Sequence, residues 1–412
     1  MEQARRLDWR TKGLPPAAEG LTGAQIGRLG LDLLAGELML PAAVLREAAL
    51  RHNVAAMQDF ADHAGARLCP HGKTSMSPEL FAMQLAAGAW GLTAATAHHV
   101  RVYRRLGIGR IFLANQLAGR ADLEFVLGEI AGDPDFDFYC LVDSAEGAAL
   151  LAAAGARCDR PVQVLIETGM LGGRAGMRDA AAALTLARRI AEAPALALRG
   201  VETFEGVRQT RPGARHEAAD MIDLATTAAR AIASEGLFAA GPVLLSAGGS
   251  AFLDLCAARL PAELDGRPVE RVIRPGCYVT HDHGLYAGLA VGEGLPRLRP
   301  ALEVWSVVLS LPEPGLAIVG AGKRDVSHDA GPPVPLWRHR PGTGRNPEPA
   351  DGLEALTLWD QHLALADPGA TLALGDLVGL GISHPCATFD RWTALPTVDE
   401  AYRVTGAITT LF

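Results

Sequence analysis

Between residues 67 and 274, short apolar or β-branched runs alternate with helical stretches of ordinary length, and this alternation limits the chain to a few folds. Eight runs read as strands, at 67–69, 90–96, 110–114, 136–143, 162–167, 198–204, 243–246 and 271–274. Amphipathic segments lie between them at 97–106, 121–130, 145–154, 180–191 and 216–234. Strands and helices in regular succession are what βαβ units with right-handed crossovers produce. Eight such units predict an α/β fold closed into a (β/α)8 TIM-type barrel. An open doubly wound sheet is the alternative that strand counting leaves standing. Barrel chemistry is placed on the loops after the strands, and Lys73, Asp143, Glu167, Arg174, Glu205 and Gly248 all fall at or just beyond a strand end.

The pattern changes near residue 290. Runs at 302–311, 316–319, 355–365, 376–382 and 403–411 alternate or stay apolar at strand length, separated by Pro/Gly-rich connections. Residues 36–290 therefore read as the barrel and 291–412 as an appended, β-rich C-terminal domain. Residues 1–35 form an N-terminal segment that either adds a strand to that domain or remains a loose arm, and 338–351 reads as a mobile loop.

A chain of 412 residues with 49% hydrophobic and 20% charged residues is globular. No apolar stretch reaches the roughly eighteen residues that a membrane span needs, and residues 1–10 lack the apolar core of a secretory signal. Six cysteines without a CxxC pair read as free thiols in a reducing cytoplasm. A net charge of −8 with no dense Lys/Arg cluster argues against a nucleic-acid or anionic-membrane partner.

Three segments carry chemistry. Lys73, in Cys69-Pro70-His71-Gly72-Lys73-Thr74, stands where a short strand gives way to a helix opened by Ser77-Pro78-Glu79. That is a usual setting for a Schiff-base amine, although a lysine at a strand end is commonly just solvated. His71, two residues earlier and so on the same face of an extended segment, either contacts what Lys73 binds or packs. Gly248-Gly249-Ser250 follows a strand and precedes a helix-like stretch at 251–259. It offers free N–H groups and a hydroxyl to a phosphate, or serves as an ordinary tight turn. His384-Pro385-Cys386 places an imidazole and a thiol on alternate residues of an extended segment, able to converge on one ion. A thiolate favours zinc over magnesium or calcium, and two ligands leave positions for water and substrate. Against this, Cys is often a small buried apolar residue. His281-Asp282-His283 has metal-binding chemistry as well, while His98-His99 look like helix-start residues.

Taken together, Pro70-His71-Gly72-Lys73-Thr74, Gly248-Gly249-Ser250, Arg274-Pro275-Gly276-Cys277-Tyr278 and Ser383-His384-Pro385-Cys386-Ala387-Thr388-Phe389-Asp390 resemble the D-serine dehydratase / D-threonine aldolase group of pyridoxal-phosphate enzymes. The resemblance spans about residues 35–412, in order. It implies an alanine-racemase-like fold (pyridoxal-phosphate fold type III), a barrel plus a β-domain, usually as a homodimer. Within the group the chain is most similar to amino-acid or D-serine deaminases, because the aldolases usually carry Asp where Cys386 stands.

The resemblance further implies that Lys73 holds pyridoxal 5'-phosphate, that the Gly248-Gly249-Ser250 turn holds its phosphate with help from Tyr278, and that His281-Asp282-His283 lies on a cofactor-side loop. Arg174, in a glycine-rich loop one residue longer than in the racemases, corresponds to an arginine that approaches the cofactor's phenolic oxygen; a solvated loop arginine is the alternative. Lys73 is expected against apolar barrel walls. The expected activity is zinc-dependent β-elimination of a D-3-hydroxy amino acid such as D-serine, giving a 2-oxo acid and ammonia. Lys73 would remove the α-proton, and a divalent metal on His384 and Cys386 would ease departure of the hydroxyl. Three alternatives remain: aldol cleavage of D-threonine, a racemase for which no second-base tyrosine segment stands out, and a non-catalytic cofactor carrier. Ser75-Met76 and Phe204-Glu205-Gly206 depart from many relatives on the substrate side.

Overall fold

The computed structural model describes residues 5–289, 294–344 and 346–412. Eight parallel strands follow one another in space as in sequence: Arg67–Leu68 (β1), Leu92–Ala94 (β2), Arg110–Gln116 (β3), Asp137–Val142 (β4), Val162–Thr168 (β5), Leu196–Thr203 (β6), Val243–Ser246 (β7) and Arg267–Ile273 (β8). β8 pairs back onto β1 through Val272 with Arg67 and Ile273 with Leu68. β1 meets β2 through a parallel bridge of His71 with Thr93 and through the bond from Trp90 N–H to the Leu68 carbonyl, 2.7 Å. The ring is therefore closed, and the open-sheet alternative does not apply.

The helices form where the sequence supplies both a cap and a stripe. Ser77, Thr96, Ser144 and Asp179 each accept a backbone N–H at the start of the helices Pro78–Ala86, Ala97–Arg105, Ala145–Gly155 and Ala180–Ala191. In the last of these, Ala183, Leu186, Ala187 and Ile190 are buried, the i, i+3, i+4, i+7 stripe that docks a helix on a sheet. Strands fully covered in this way bury Val164, Ile166, Leu198, Val201 and Leu245 in one continuous core.

Gly200 sits in β6 at a bulge opposite β5, where Arg199 is skipped in the pairing. A Cβ there would lie 1.8 Å from the carbonyl oxygen of Leu244 on β7, so alanine cannot enter without moving backbone. Gly200→Ala is expected to cost about 3 kcal/mol or more of stability, read as a lower urea midpoint or loss of soluble protein.

The C-terminal sheet runs Glu348–Pro349, Val334–His339, Leu377–Gly381, Leu302–Glu313, Ala42–Arg46, Ala394–Val398 and Val404–Thr409, with Leu316–Val319, Leu363–Ala366 and Glu354–Leu358 extending from the long strand. Its interior strand Ala42–Arg46 falls in the stretch that the sequence reading gave to the barrel. Five apolar-leaning residues run directly into the helix Glu47–His63, so nothing in the local pattern separates the two. The run expected at 355–365 is a hairpin of two antiparallel strands. The loop expected at 338–351 has paired ends, Trp337 with Pro349 and Arg338 with Glu348. The N-terminal segment packs on this domain, joined to it by a single bridge of Asp32 with Arg403: Leu7, Leu14, Ile26 and Leu33 are buried against Trp305, Ala394 and Tyr402. The boundary placed at residue 290 lies outside the described residues.

Candidate active site at the barrel mouth

Lys73 lies one residue into the 3-10 turn Gly72–Thr74 that leaves β1, with an exposed side chain. Because it sits in a turn, strand alternation does not relate it to His71, and its side chain is exposed where burial against apolar barrel walls was expected. His71 is held well below the usual imidazole range, by burial first and then by the positive charges of Lys73, Arg274 and Arg174. Burial, then His98 and Lys73, depress His99 to about 4. The buried Nδ1 of His71 has no hydrogen-bond partner among the described residues, a polar atom prepared for a guest.

Below the mouth, Arg274 and Glu202 form a fully buried ion pair at 3.1 Å, with the guanidinium 4.7 Å from the centre of the Phe112 ring. Burial lifts the Glu202 carboxyl to about 7 despite the arginine. Glu167, whose Oε2 accepts a 2.5 Å bond from Gln116, is also raised, mainly by burial. Arg174 is exposed over the Phe204 ring, 5.0 Å from its centre, and its charge reaches His71, Glu167 and Glu202.

The glycine turn behaves as an anion receptor, already occupied by the protein itself. The N–H groups of Gly248 and Gly249 donate to the Glu205 carboxylate at 3.0 and 2.8 Å. Ser250 Oγ accepts from Gly276 and Cys277 N–H, both at 3.3 Å. Tyr278 is buried, and its hydroxyl accepts from Gln84 at 2.9 Å. It lines a cavity of about 470 Å³ together with Ser250, Leu253, Cys277, His281 and Tyr286, a space that touches the glycine turn but not Lys73.

His384 and Cys386 do converge, by a route other than the extended segment expected. Pro385 adopts helical backbone angles and Cys386 opens the one-turn helix Cys386–Phe389, so the two side chains meet across a tight turn. Ser327 Oγ fixes that turn by accepting from the N–H groups of Ser383 (3.2 Å) and His384 (3.0 Å). The ligand atoms of His384, Cys386 and Cys277 lie within 4.8 Å of one another. His384 Nδ1 is 2.6 Å from Asp329 Oδ2. Burial opposes its charged form, yet the Cys386 sulfur and Asp329 outweigh that and lift it to about 9. Hydrogen bonding from Cys277 holds the Cys386 thiol well below the usual range, and the same contact, with burial, pushes Cys277 up.

Cys386 Sγ is also 3.5 Å from Thr74 Oγ1, the residue after Lys73. Close backbone approach permits this: a Cβ on Gly276 would lie 2.4 Å from that same Thr74 oxygen. The lysine turn, the 276–277 loop and the His-x-Cys turn thus meet at one place. Asp282 is a structural cap instead, accepting from Gly284, Tyr286 and Ala287 N–H, and His281 and His283 stand outside the His/Cys cluster.

Sequence reasoning missed Cys277 as a possible ligand, Asp329 behind His384, and the Glu202–Arg274 pair. A glutamate next to the end of strand six, and a cysteine in the Arg-Pro-Gly-Cys-Tyr segment, were the available signals; Asp329 had none.

Residues 45–279 match the family described as alanine racemase, N-terminal domain, and residues 301–398 the putative serine dehydratase domain. The chain is 27% identical over 365 residues to D-threonine aldolase of Arthrobacter sp, covering 87% of this chain and 89% of the relative. It is 30% identical over 296 residues to D-threo-3-hydroxyaspartate dehydratase of Delftia sp. (strain HT23), covering 71% and 73%. Among solved structures, a cysteine-to-alanine variant of D-threo-3-hydroxyaspartate dehydratase in the metal-free form superposes with a TM-score of 0.74 at 25% identity, over 92% of this chain and 99% of that one.

Proposed function

Since this chain belongs to the family of the alanine racemase N-terminal domain and continues into a serine dehydratase-type domain, we propose that it is a pyridoxal-phosphate-dependent lyase. The proposed reaction converts a D-3-hydroxy amino acid such as D-serine to a 2-oxo acid and ammonia, with a divalent metal, zinc, assisting. The observation that carries this reading is the 3.5 Å contact between Cys386 Sγ and Thr74 Oγ1, which sets the His/Cys cluster against the turn that bears Lys73.

Pyridoxal phosphate, when bound, would supply an electron sink for the charge left at the substrate's Cα. Lys73 would hold it through its amine, with His71 and Arg174 beside it and the Gly248-Gly249-Ser250 turn at its phosphate. The orphaned Nδ1 of His71 and the anion-filled glycine turn fit that guest, provided the phosphate displaces Glu205 from the two N–H groups. A metal on His384 and Cys386 would supply Lewis acidity for the β-oxygen, and a relative solved in a metal-free form suggests that metal binding occurs among the related dehydratases.

The chain's own residues do the rest. Lys73 Nζ, exposed among cationic and neutral groups, takes the α-proton. Arg174 guards the opening through its contact with Phe204. Asp329 holds the His384 ring in one orientation through Nδ1. The buried Arg274–Glu202 pair fixes the floor. In this reading the protein acts in the cytoplasm as a homodimer; among the described residues no helix is long and apolar enough to cross a membrane.

Cleavage of Cα–Cβ by the same residues is the second reading, supported by the D-threonine aldolase relative. Product analysis separates the two. Pyruvate and ammonia from D-serine, with no glycine from D-threonine, is the expected outcome; glycine and acetaldehyde from D-threonine, without pyruvate from D-serine, would replace dehydration by aldol cleavage.

A further inference from the structure

Two thiolates bound to one tetrahedral ion, each at about 2.3 Å, stand about 3.8 Å apart. The Sγ atoms of Cys277 and Cys386 are 3.6 Å apart, beyond the roughly 2.0 Å of a disulfide and close to the separation that a shared ion imposes. The His384 ligand atom lies within 4.8 Å of both sulfurs. Asp329, 2.6 Å from Nδ1, leaves Nε2 to face an ion, the carboxylate–histidine arrangement that orients ligating imidazoles. His384 and Cys386 share one turn after the strand Leu377–Gly381, whereas Cys277 comes from the loop after β8, 109 residues before Cys386 in the chain. The three groups therefore converge from two separate parts of the fold.

Building on the metal's role in the proposed function, we propose that Cys277 is a third protein ligand. The centre is then a Cys2His site that ties the barrel loop to the β-rich domain, not a His-x-Cys pair alone. Two sulfurs and an imidazole select zinc-like ions against magnesium and calcium. Three protein ligands leave one position of a tetrahedron open. Of the three ligands, Cys277 also lines the cavity of about 470 Å³, beside Ser250 and Tyr286. A single open position favours substrates that present one hydroxyl oxygen over substrates that chelate.

The test uses the holoenzyme with zinc exchanged for cobalt(II), reading thiolate-to-cobalt charge-transfer absorption as a difference from the zinc-loaded protein. C277S and C386S are each expected to retain about half of the wild-type intensity, because each keeps one sulfur ligand, and H384A to retain nearly all of it. C277S is also expected to surrender zinc to a competing chelator at roughly tenfold lower concentration. Full wild-type intensity in C277S, or no band at all in C386S, overturns the proposal, and the second result does so even if C277S fails to fold. A two-thiolate band in a protein that turns over neither D-serine nor D-threonine removes the lyase reading and leaves the ligand set in place. Turnover accompanied by a one-thiolate band does the reverse.

Discussion

Lys73→Ala is expected to lower kcat/KM on D-serine by about 10⁴-fold or more, equivalent to about 5.5 kcal/mol of barrier. The size follows from two losses at one atom. The amine that would hold the cofactor disappears, and so does the base placed to take the α-proton. Exposure of Lys73 in the turn Gly72–Thr74 means that the substitution removes little packing, so the fold should survive and the urea midpoint should stay near wild type. Steady-state pyruvate release, measured beside the unfolding curve, checks both halves. Pyruvate formation by the variant at the wild-type rate would remove Lys73 from the chemistry.

Stripping the metal with a chelator is expected to cut turnover by about 10³-fold, roughly 4 kcal/mol, because hydroxide leaves poorly without a Lewis acid on its oxygen. His384→Ala, which leaves an ion on the two sulfurs without the imidazole that fixes its position, should lower turnover by a comparable factor while leaving the cofactor's visible absorbance in place, since the lysine and the glycine turn are untouched. Zinc should restore the stripped wild type and not the variant. The variant also frees the exposed Asp329 from its 2.6 Å contact with the ring, at small cost to stability. Unchanged turnover after complete metal removal, verified by elemental analysis, would assign His384 and Cys386 to packing.

The barrel was legible because its strands are buried on both faces and its helices carry caps and apolar stripes, signals that are local in sequence. Helix Ala180–Ala191 shows this, with Asp179 as its cap and Ile190 closing its stripe. Ala42–Arg46 was not legible: what makes it a strand is the pairing with Leu302–Glu313 and Ala394–Val398, hundreds of residues away. The site divides in the same manner. Lys73 and the spacing of His384 and Cys386 were visible as local motifs. Cys277 joins them only because the loop after β8 passes against Thr74 with no side chain on Gly276. Glu205 was marked as a strand-end residue and as a departure from relatives, yet its filling of the glycine turn rests on two bonds that depend on β6 and β7 standing side by side.

The most direct measurement is the visible absorption spectrum of the purified protein before and after addition of D-serine. An aldehyde cofactor held by Lys73 predicts a visible band that sodium borohydride fixes onto that lysine, identifiable by peptide mass, and that shifts when D-serine is added. A protein with no such band after incubation with pyridoxal phosphate, or one whose reduced cofactor maps to another lysine, would contradict the account.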